Sequence, residues 1–549
     1  MSPVLRRLLL FLLLLTALRL AFIGRVELSP DEAYYQMWSE RLDWGYYSKG
    51  PGVAMAIRLG TALFGPTEFG VRFLSPIFAL GTSLVLLVFA RRLYGDGPAA
   101  WAILLLNLIP IFQAGSLLMT IDPLSVYFWS AAMLTCWLAL ERRRVRLPYW
   151  LLTGLCIGLG FLSKYTNAME ILCIALATAL VPRWRREFRR AGFYLMVLVA
   201  AVVGSPPVFW NAGHAWITFN HLHDRGRLGT AFDQPFKEFT NFLFAHIGVY
   251  SPLVFAGLVV SLFWGWRAAF PRRRVYPGAG DAARALEPEV EKARFLIAFS
   301  LPLIVMYTLL AFKTAGEPNW TAPGFVSLCV FAAALWHARA QRSRPVAVYA
   351  VVALAIALVM SVLVVDTDLA RRCSIPWPYG RDPTARLLGW RSTAQQLATF
   401  RQEEERDLGA PVFLIANRYQ LAAELNFYLP ARPVQGPGHP PVYLPESQNM
   451  ETQFSFWPGY DQVTVRAAPA DAPLPTTAEE EFRLVGSSPF LGHSALFVTD
   501  DERHRQLPDA VESGFEECSL VAQYEIQRRG QPLRHLRVYA CFNYRGLDL

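Results

Sequence analysis

The chain has 549 residues, of which 54% are hydrophobic and only 17% charged, with 16 Trp and 37 Phe. A soluble protein of this length carries far more charge, so the composition points to an integral membrane protein. The net charge of +9 lies in short arginine tracts between apolar runs (Arg91 and Arg92, Arg142 to Arg144, Arg183 to Arg190, Arg272 to Arg274), the pattern of cytoplasmic loops and not of a nucleic-acid surface.

In chain order, Arg6 and Arg7 precede a long apolar core that is read as a retained first transmembrane helix and not as a cleaved signal peptide. Apolar runs near the length a bilayer requires then predict about eleven spans, at 5–23, 71–90, 98–118, 122–140, 148–162, 166–182, 191–209, 247–266, 294–312, 320–337 and 345–365. With the amino terminus inside, every arginine-rich loop falls on the cytoplasmic face. The outer face receives 24–70, the 120–123 junction, 163–165, 210–246, 312–319 and everything after Asp366. Isolated ionisable residues collect there with mixed signs: Asp31, Glu32, Lys49, Asp122, Lys164, Arg225, Lys313 and Glu317. Ionisable groups at membrane boundaries on one face are functional candidates.

After Asp366 the pattern becomes that of a soluble α/β domain on the outer, periplasmic side. Val412–Ala416, Gln462–Arg466 and Ala495–Thr499 read as strands, Arg391–Glu405 and Ala422–Tyr428 as helices, with a Pro-rich loop at Pro430–Pro445. The expected division is therefore 1–365 and 366–549. Near the end, Cys518–Ile526 and Leu533–Cys541 read as two strands of a hairpin turning about Arg529 and Gly530, which brings Cys518 opposite Cys541. Cys136, Cys156, Cys173 and Cys329 lie singly in apolar runs and read as small hydrophobes, and Cys373 has no evident partner.

No phosphate-binding glycine loop and no Gly-x-Ser-x-Gly elbow is present, which argues against a soluble nucleotide donor or a serine nucleophile. A carboxylate pair with several cations at a membrane boundary suits group transfer from a lipid phosphate. A carboxylate takes a proton from an incoming hydroxyl, while Lys or Arg stabilises charge on the leaving phosphate. A transporter or flippase for a lipid-linked or anionic substrate is the alternative, but it predicts charges near mid-helix and broken helices in matched halves.

The motifs Asp31-Glu32-Ala33-Tyr34-Tyr35, Tyr46-Tyr47-Ser48-Lys49-Gly50-Pro51-Gly52, Leu63-Phe64-Gly65 and Val71-Arg72 resemble the first outer loop of the protein O-mannosyltransferase-like superfamily, which includes the lipid A aminoarabinose transferases and has the GT-C fold. Thr120-Ile121-Asp122-Pro123-Leu124, Phe161-Leu162-Ser163-Lys164, Lys313 through Pro323, Ala416 through Glu424, and Phe456-Trp457-Pro458-Gly459 extend the likeness over nearly the whole chain. The resemblance implies an inverting transferase at the bacterial inner membrane, moving a sugar from a polyprenyl-phosphate donor to a lipid, glycan or protein acceptor. It implies Asp31 as the catalytic carboxylate beside Glu32, and Lys49, Arg72, Lys164, Arg225 and Lys313 toward the donor phosphate. Asp122, Glu317, Tyr34 and Tyr35 would position substrate. The aminoarabinose transferases carry Glu before the lysine, where it helps hold a metal, whereas this chain has Ser48. No cofactor is therefore expected to be required, with His221 and His223 as weak metal candidates. Asp31 is expected to act as base on a hydroxyl acceptor and to position groups if the acceptor is already anionic.

Overall fold

The computed structural model describes residues 2–142, 146–227, 229, 232–271, 280–430, 442–447, 449–461, 488–500 and 507–547. The expected strand Gln462–Arg466, the tract Arg272 to Arg274, Arg143, Arg144 and most of the Pro430–Pro445 loop lie outside the described residues.

The chain divides into two compact units. One comprises Met1–Arg25 and Trp38–Cys373, the other Val26–Met37 and Ser374–Leu549. The boundary expected at 365/366 therefore falls a few residues later, and a short segment near the amino terminus, expected in the membrane domain, belongs to the carboxy-terminal unit. Side chains give the reason. Leu28 N donates to the Tyr428 hydroxyl at 2.8 Å, and the Glu27 carboxylate accepts from Trp390 N at 2.6 Å and Arg391 N at 3.3 Å. The Tyr34 hydroxyl accepts from Gln453 N at 2.6 Å, and its ring lies 4.7 Å from that of Tyr419. These aromatic and carboxylate anchors complete the second unit's core and helix cap.

The first unit is helical. Helices that are apolar nearly all round bury one another's side chains, and Trp129 and Trp150 are among the largest buried groups. Ile121–Glu141 packs against Leu147–Ser163 and Leu74–Tyr94. Among the described residues six helices are long and apolar enough to cross a bilayer by themselves, or seven if the pair Ala191–Val203 and Pro206–Gly213, bent by 50°, is one span. Helices occupy all eleven predicted segments, yet several depart from a simple span for identifiable reasons. The 98–118 segment is broken into Asp96–Leu108 and Pro110–Gly115, because Pro110 has no N–H and holds Ile109 in an extended conformation (φ −74°, ψ 125°). Leu147–Ser163 and Tyr165–Leu180 are apolar but short. Pro3–Phe22 carries Arg6, Arg7 and the buried Arg19, which donates to Asn107 at 3.1 Å and Gln113 at 2.6 Å. The region 24–70, read as a loop, contains the helices Pro30–Glu40 and Gly52–Phe64.

The second unit has a four-stranded sheet of β1 (Val412–Ala416), β2 (Ser494–Thr499), β3 (Phe515–Arg528) and β4 (Gln531–Tyr544) in the order β1-β2-β4-β3. β1 and β2 are parallel; the other pairs are antiparallel. Period-two alternation divides the sheet's side chains between two cores. Leu414, Val498 and Leu536 join Trp390 and Leu397 of the helix Trp390–Leu408 and Leu421 of the helix Tyr419–Tyr428, while Phe413, Ile415 and Phe497 join Tyr460, Phe490 and Tyr544 on the other face.

The β3–β4 hairpin closes through Arg529 (φ 51°) and Gly530 (φ 71°), the two left-handed residues of a primed turn. Pairing starts at Arg528–Gln531, slips by one between Gln527–Pro532 and Ile526–Arg534, and slips back between Ala522–Val538 and Leu520–Tyr539. The two bulges cancel, so Cys518 still faces Cys541, with Cα atoms 4.1 Å apart and the sulfurs bonded.

Candidate active site

The segment that carries Lys49 is fixed from several sides within the first unit. Tyr46 stacks on Trp38 with ring centroids 4.4 Å apart, and its hydroxyl donates to the Trp38 carbonyl at 3.1 Å. Thr218 Oγ1 donates to the Tyr46 carbonyl at 3.1 Å, and Trp210 Nε1 donates to Asp43 at 2.8 Å. Tyr46 N donates to the Lys49 carbonyl at 3.0 Å. The glycines that follow are demanded by close approach. A Cβ on Gly50 would lie 2.3 Å from the Leu162 carbonyl oxygen, and one on Gly52 would lie 2.4 Å from Ser163 Oγ. The Gly-Pro-Gly turn thus lies directly on the end of the helix Leu147–Ser163, whose next residue is Lys164. Gly50→Ala should cost about 1–3 kcal/mol of stability by overpacking against backbone. Thermal unfolding in detergent checks this, and an unchanged midpoint would show that the turn has room.

Lys164 is 7% exposed and donates from Nζ to Asp122 Oδ1 at 2.8 Å and to the Asn319 carbonyl at 3.1 Å. Asp122 stands in the first turn of Ile121–Glu141, capped by Thr120, where the helix dipole favours a carboxylate. Its other oxygen accepts from Asn319 Nδ2 at 2.6 Å and from Thr120 Oγ1 at 3.3 Å. Trp320, the residue after Asn319, carries the Arg225 guanidinium 5.5 Å from its ring centroid. Arg225 closes the short helix Ile217–Arg225, which also bears His221. The His221 ring lies 4.8 Å from that of Tyr47. Burial first, then the charges of Lys49 and Arg225, push the His221 imidazole down to about 4, against a weaker opposite pull from Asp224. Lys313 Nζ donates to the Arg227 carbonyl at 3.3 Å and sits 5.1 Å from the Phe232 centroid.

The turn that carries Lys49, the Asp122–Lys164 pair and Arg225 are thereby brought together through Tyr47, His221, Asn319 and Trp320, with Lys313 reaching the Arg227 carbonyl two residues beyond Arg225. Asn319 and Trp320 belong to the Glu317-Pro318-Asn319-Trp320 motif but were not singled out; an amide and an indole beside an isolated lysine were the available signal. Glu317 is exposed one step before this turn. Arg72 is 1% exposed and donates to the Ile23 carbonyl at 2.9 Å, at the negative end of the first helix.

The second unit holds the remaining candidates. Ser29 and Glu32 form a capping box, in which the Glu32 carboxylate accepts from Ser29 N at 3.0 Å and Ser29 Oγ at 3.1 Å. Glu32, expected beside the catalytic carboxylate, is fully buried at this helix start. The signature Ser-x-x-Glu was present in the sequence. Asp31, in the same first turn, is exposed. Tyr34 and Tyr35, expected to position substrate, are 5% and 6% exposed, and Tyr34 packs among Tyr419 and Phe454.

Residues 48–210 match the dolichyl-phosphate-mannose-protein mannosyltransferase family. The chain is 29% identical over 303 residues to the lipid A galacturonosyltransferase RgtD of Rhizobium johnstonii, covering 55% of this chain and 59% of that protein. It is 33% identical over 195 residues to the undecaprenyl phosphate-alpha-4-amino-4-deoxy-L-arabinose arabinosyl transferase of Pseudomonas paraeruginosa, covering 32% and 35%. These alignments thus span less than two thirds of either relative. The crystal structure of ArnT from Cupriavidus metallidurans bound to undecaprenyl phosphate superposes over 97% of each chain with a TM-score of 0.59 at 17% identity. The chain has the GT-C glycosyltransferase fold.

Of the linked residues, Lys49, Asp122 and Lys164 fall inside the matched family segment, whereas Arg225 and Lys313 follow it. Ser48 offers no carboxylate, His221 lies in the field of two cations, and among the described residues no three His, Cys, Asp or Glu side chains gather. The depressed His221 has a pH consequence. Its folded value lies below the ordinary one near 6.5, so the stability it contributes is complete above 6.5 and is lost as pH falls toward 4. The His221 imidazole should accordingly add no inflection to anion affinity between about pH 8 and 5, since it does not titrate there. A binding titration with an inflection near 6.5 that His221→Gln abolishes would contradict this.

Proposed function

We propose that this protein is a polyprenyl-phosphate-sugar-dependent glycosyltransferase of the bacterial inner membrane, acting at the periplasmic ends of its helices on lipid A or a related envelope acceptor. The observation that carries the reading is that Tyr47, two residues before Lys49, lies with its ring 4.8 Å from that of His221, one turn before Arg225 on the helix Ile217–Arg225. The turn that carries Lys49 and the helix that carries Arg225 are thus neighbours, which sets two cations on adjacent elements. Such a pair suits a phosphate, which binds cations through charge-assisted hydrogen bonds. Lys164 already donates to Asp122 and a carbonyl, so its role is to hold the base of the site. The named activities of the galacturonosyl and arabinosyl relatives support the lipid-linked donor and the lipid A acceptor. The carboxy-terminal α/β unit with its Cys518–Cys541 bond suits an oxidising compartment.

In the reaction, the bond between the sugar's anomeric carbon and the phosphate oxygen breaks, and its electron pair leaves with the polyprenyl phosphate. An acceptor oxygen forms the new bond from the opposite face, inverting the anomeric carbon. Lys49 and Arg225 stabilise the charge gained by the leaving phosphate. Where the acceptor is a hydroxyl, Asp31 takes its proton; where it is a phosphate, no base is needed. Mass spectrometry of envelope lipids from cells with and without the gene tests the reading. Loss of one sugar mass from lipid A or its core is expected, and identical lipid, glycan and glycoprotein profiles would overturn it.

A further inference from the structure

We propose that Asn319 is a positioning residue that couples the buried Asp122–Lys164 pair to the seat of Arg225, and so sets the affinity for the donor phosphate. The proposal rests on the functional reading above. Asn319 serves both members of the pair: its amide donates to Asp122 Oδ2 at 2.6 Å, and its carbonyl accepts from Lys164 Nζ at 3.1 Å. Without the amide, that Asp122 oxygen retains Thr120 at 3.3 Å, a long contact for a carboxylate so little exposed.

The neighbouring residues transmit the constraint. Trp320 follows Asn319 directly, lies beneath Arg225, and has its ring 5.4 Å from that of Tyr307. Gly316 (φ +60°) approaches the indole so closely that a Cβ would come within 2.6 Å of it. Thr321 donates to the Pro318 carbonyl at 3.0 Å and lies 2.8 Å from His246 Nε2. The turn from Gly316 to Thr321 is therefore pinned at both ends, and Asn319 ties its middle to two helix starts. A shift at Asn319 moves the indole that supports Arg225.

The charged groups facing position 319 are Asp122 and Lys164, with Arg225 across Trp320 and Glu317 two residues before. Asn319→Asp keeps the carbonyl to Lys164 and the side-chain shape but sets an oxygen against Asp122 Oδ2. Two carboxylates at that separation cannot both ionise. The contact should re-form as a shared proton at low pH and break at high pH. A merely structural role would not produce this signature.

The test uses the full chain in nanodiscs with undecaprenyl phosphate as the probe. Each variant is compared with wild type at the same pH, because the phosphate monoester itself gains a proton at about pH 6; Asn319→Ala should raise Kd about tenfold over wild type at both about pH 8 and pH 5.5. Asn319→Asp should raise it about tenfold at pH 8 and return to within about threefold of wild type at pH 5.5. Kd values within about twofold of wild type for both variants at pH 8, or an Asn319→Asp defect equal at the two pH values, would overturn the proposal. If the wild type binds undecaprenyl phosphate but transfers no sugar, the functional reading fails alone. If it does not bind, both fail.

Discussion

Asn in place of Asp31 should reduce transfer to a hydroxyl acceptor by about 10²- to 10⁴-fold, the usual contribution of a general base. Folding and donor binding should survive. The helix that carries Asp31 starts with the Ser29–Glu32 capping box, which the substitution leaves intact, and Asp31 itself is exposed. The amide matches the carboxylate in shape and cannot take a proton. Initial rates with a saturating lipid-linked sugar, together with Kd for undecaprenyl phosphate, separate the two effects. On an acceptor phosphate the same variant should lose less than about tenfold, because that nucleophile is already ionised. Wild-type turnover of a hydroxyl acceptor by Asp31→Asn would remove the base from the mechanism.

Lys49→Ala should weaken donor binding and slow transfer together, each by about ten- to a hundredfold, the range of a lost charge-assisted hydrogen bond. The turn that presents Lys49 is held by Tyr46, Thr218 and the Gly50 contact. Thermal unfolding of the variant separates loss of charge at the site from loss of fold. Lys49→Arg should recover only part of the lost binding and rate, since a planar fork replaces a compact point charge. Donor titration with Lys49→Ala that matches wild type would move the phosphate to Arg225 and Lys313.

The membrane class and the chemistry-bearing turns were legible because apolar run length and isolated charges survive in one dimension. Val412–Ala416 as a strand and the Arg529–Gly530 turn were legible for the same kind of reason, one from an apolar β-branched run and the other from turn chemistry. The two bulges in the hairpin were not, but they cancel before Cys518. What a linear reading missed depends on which neighbour a side chain finds. That Arg72 reaches the Ile23 carbonyl and Lys164 reaches Asp122 is not visible from either residue's place in the chain. Val26–Met37 follows the helix Pro3–Phe22 in sequence, yet its Glu27 and Tyr34 are anchored some 360 to 420 residues later, at Trp390 and Gln453. The roles of Glu32 and Asn319 were missed for opposite reasons. The capping box was readable and overlooked, whereas the partnership of Asn319 with Asp122 joins residues 197 positions apart.

The most direct test of the donor class is transfer by the purified protein in nanodiscs. The donors to supply are undecaprenyl phosphate carrying galacturonate or 4-amino-4-deoxyarabinose, with lipid A as acceptor and no nucleotide sugar. The account predicts equimolar release of undecaprenyl phosphate and a lipid A species heavier by one sugar residue, both abolished or sharply reduced in Lys49→Ala. Transfer that proceeds only from a nucleotide sugar, with the lipid-linked donor untouched, would contradict it.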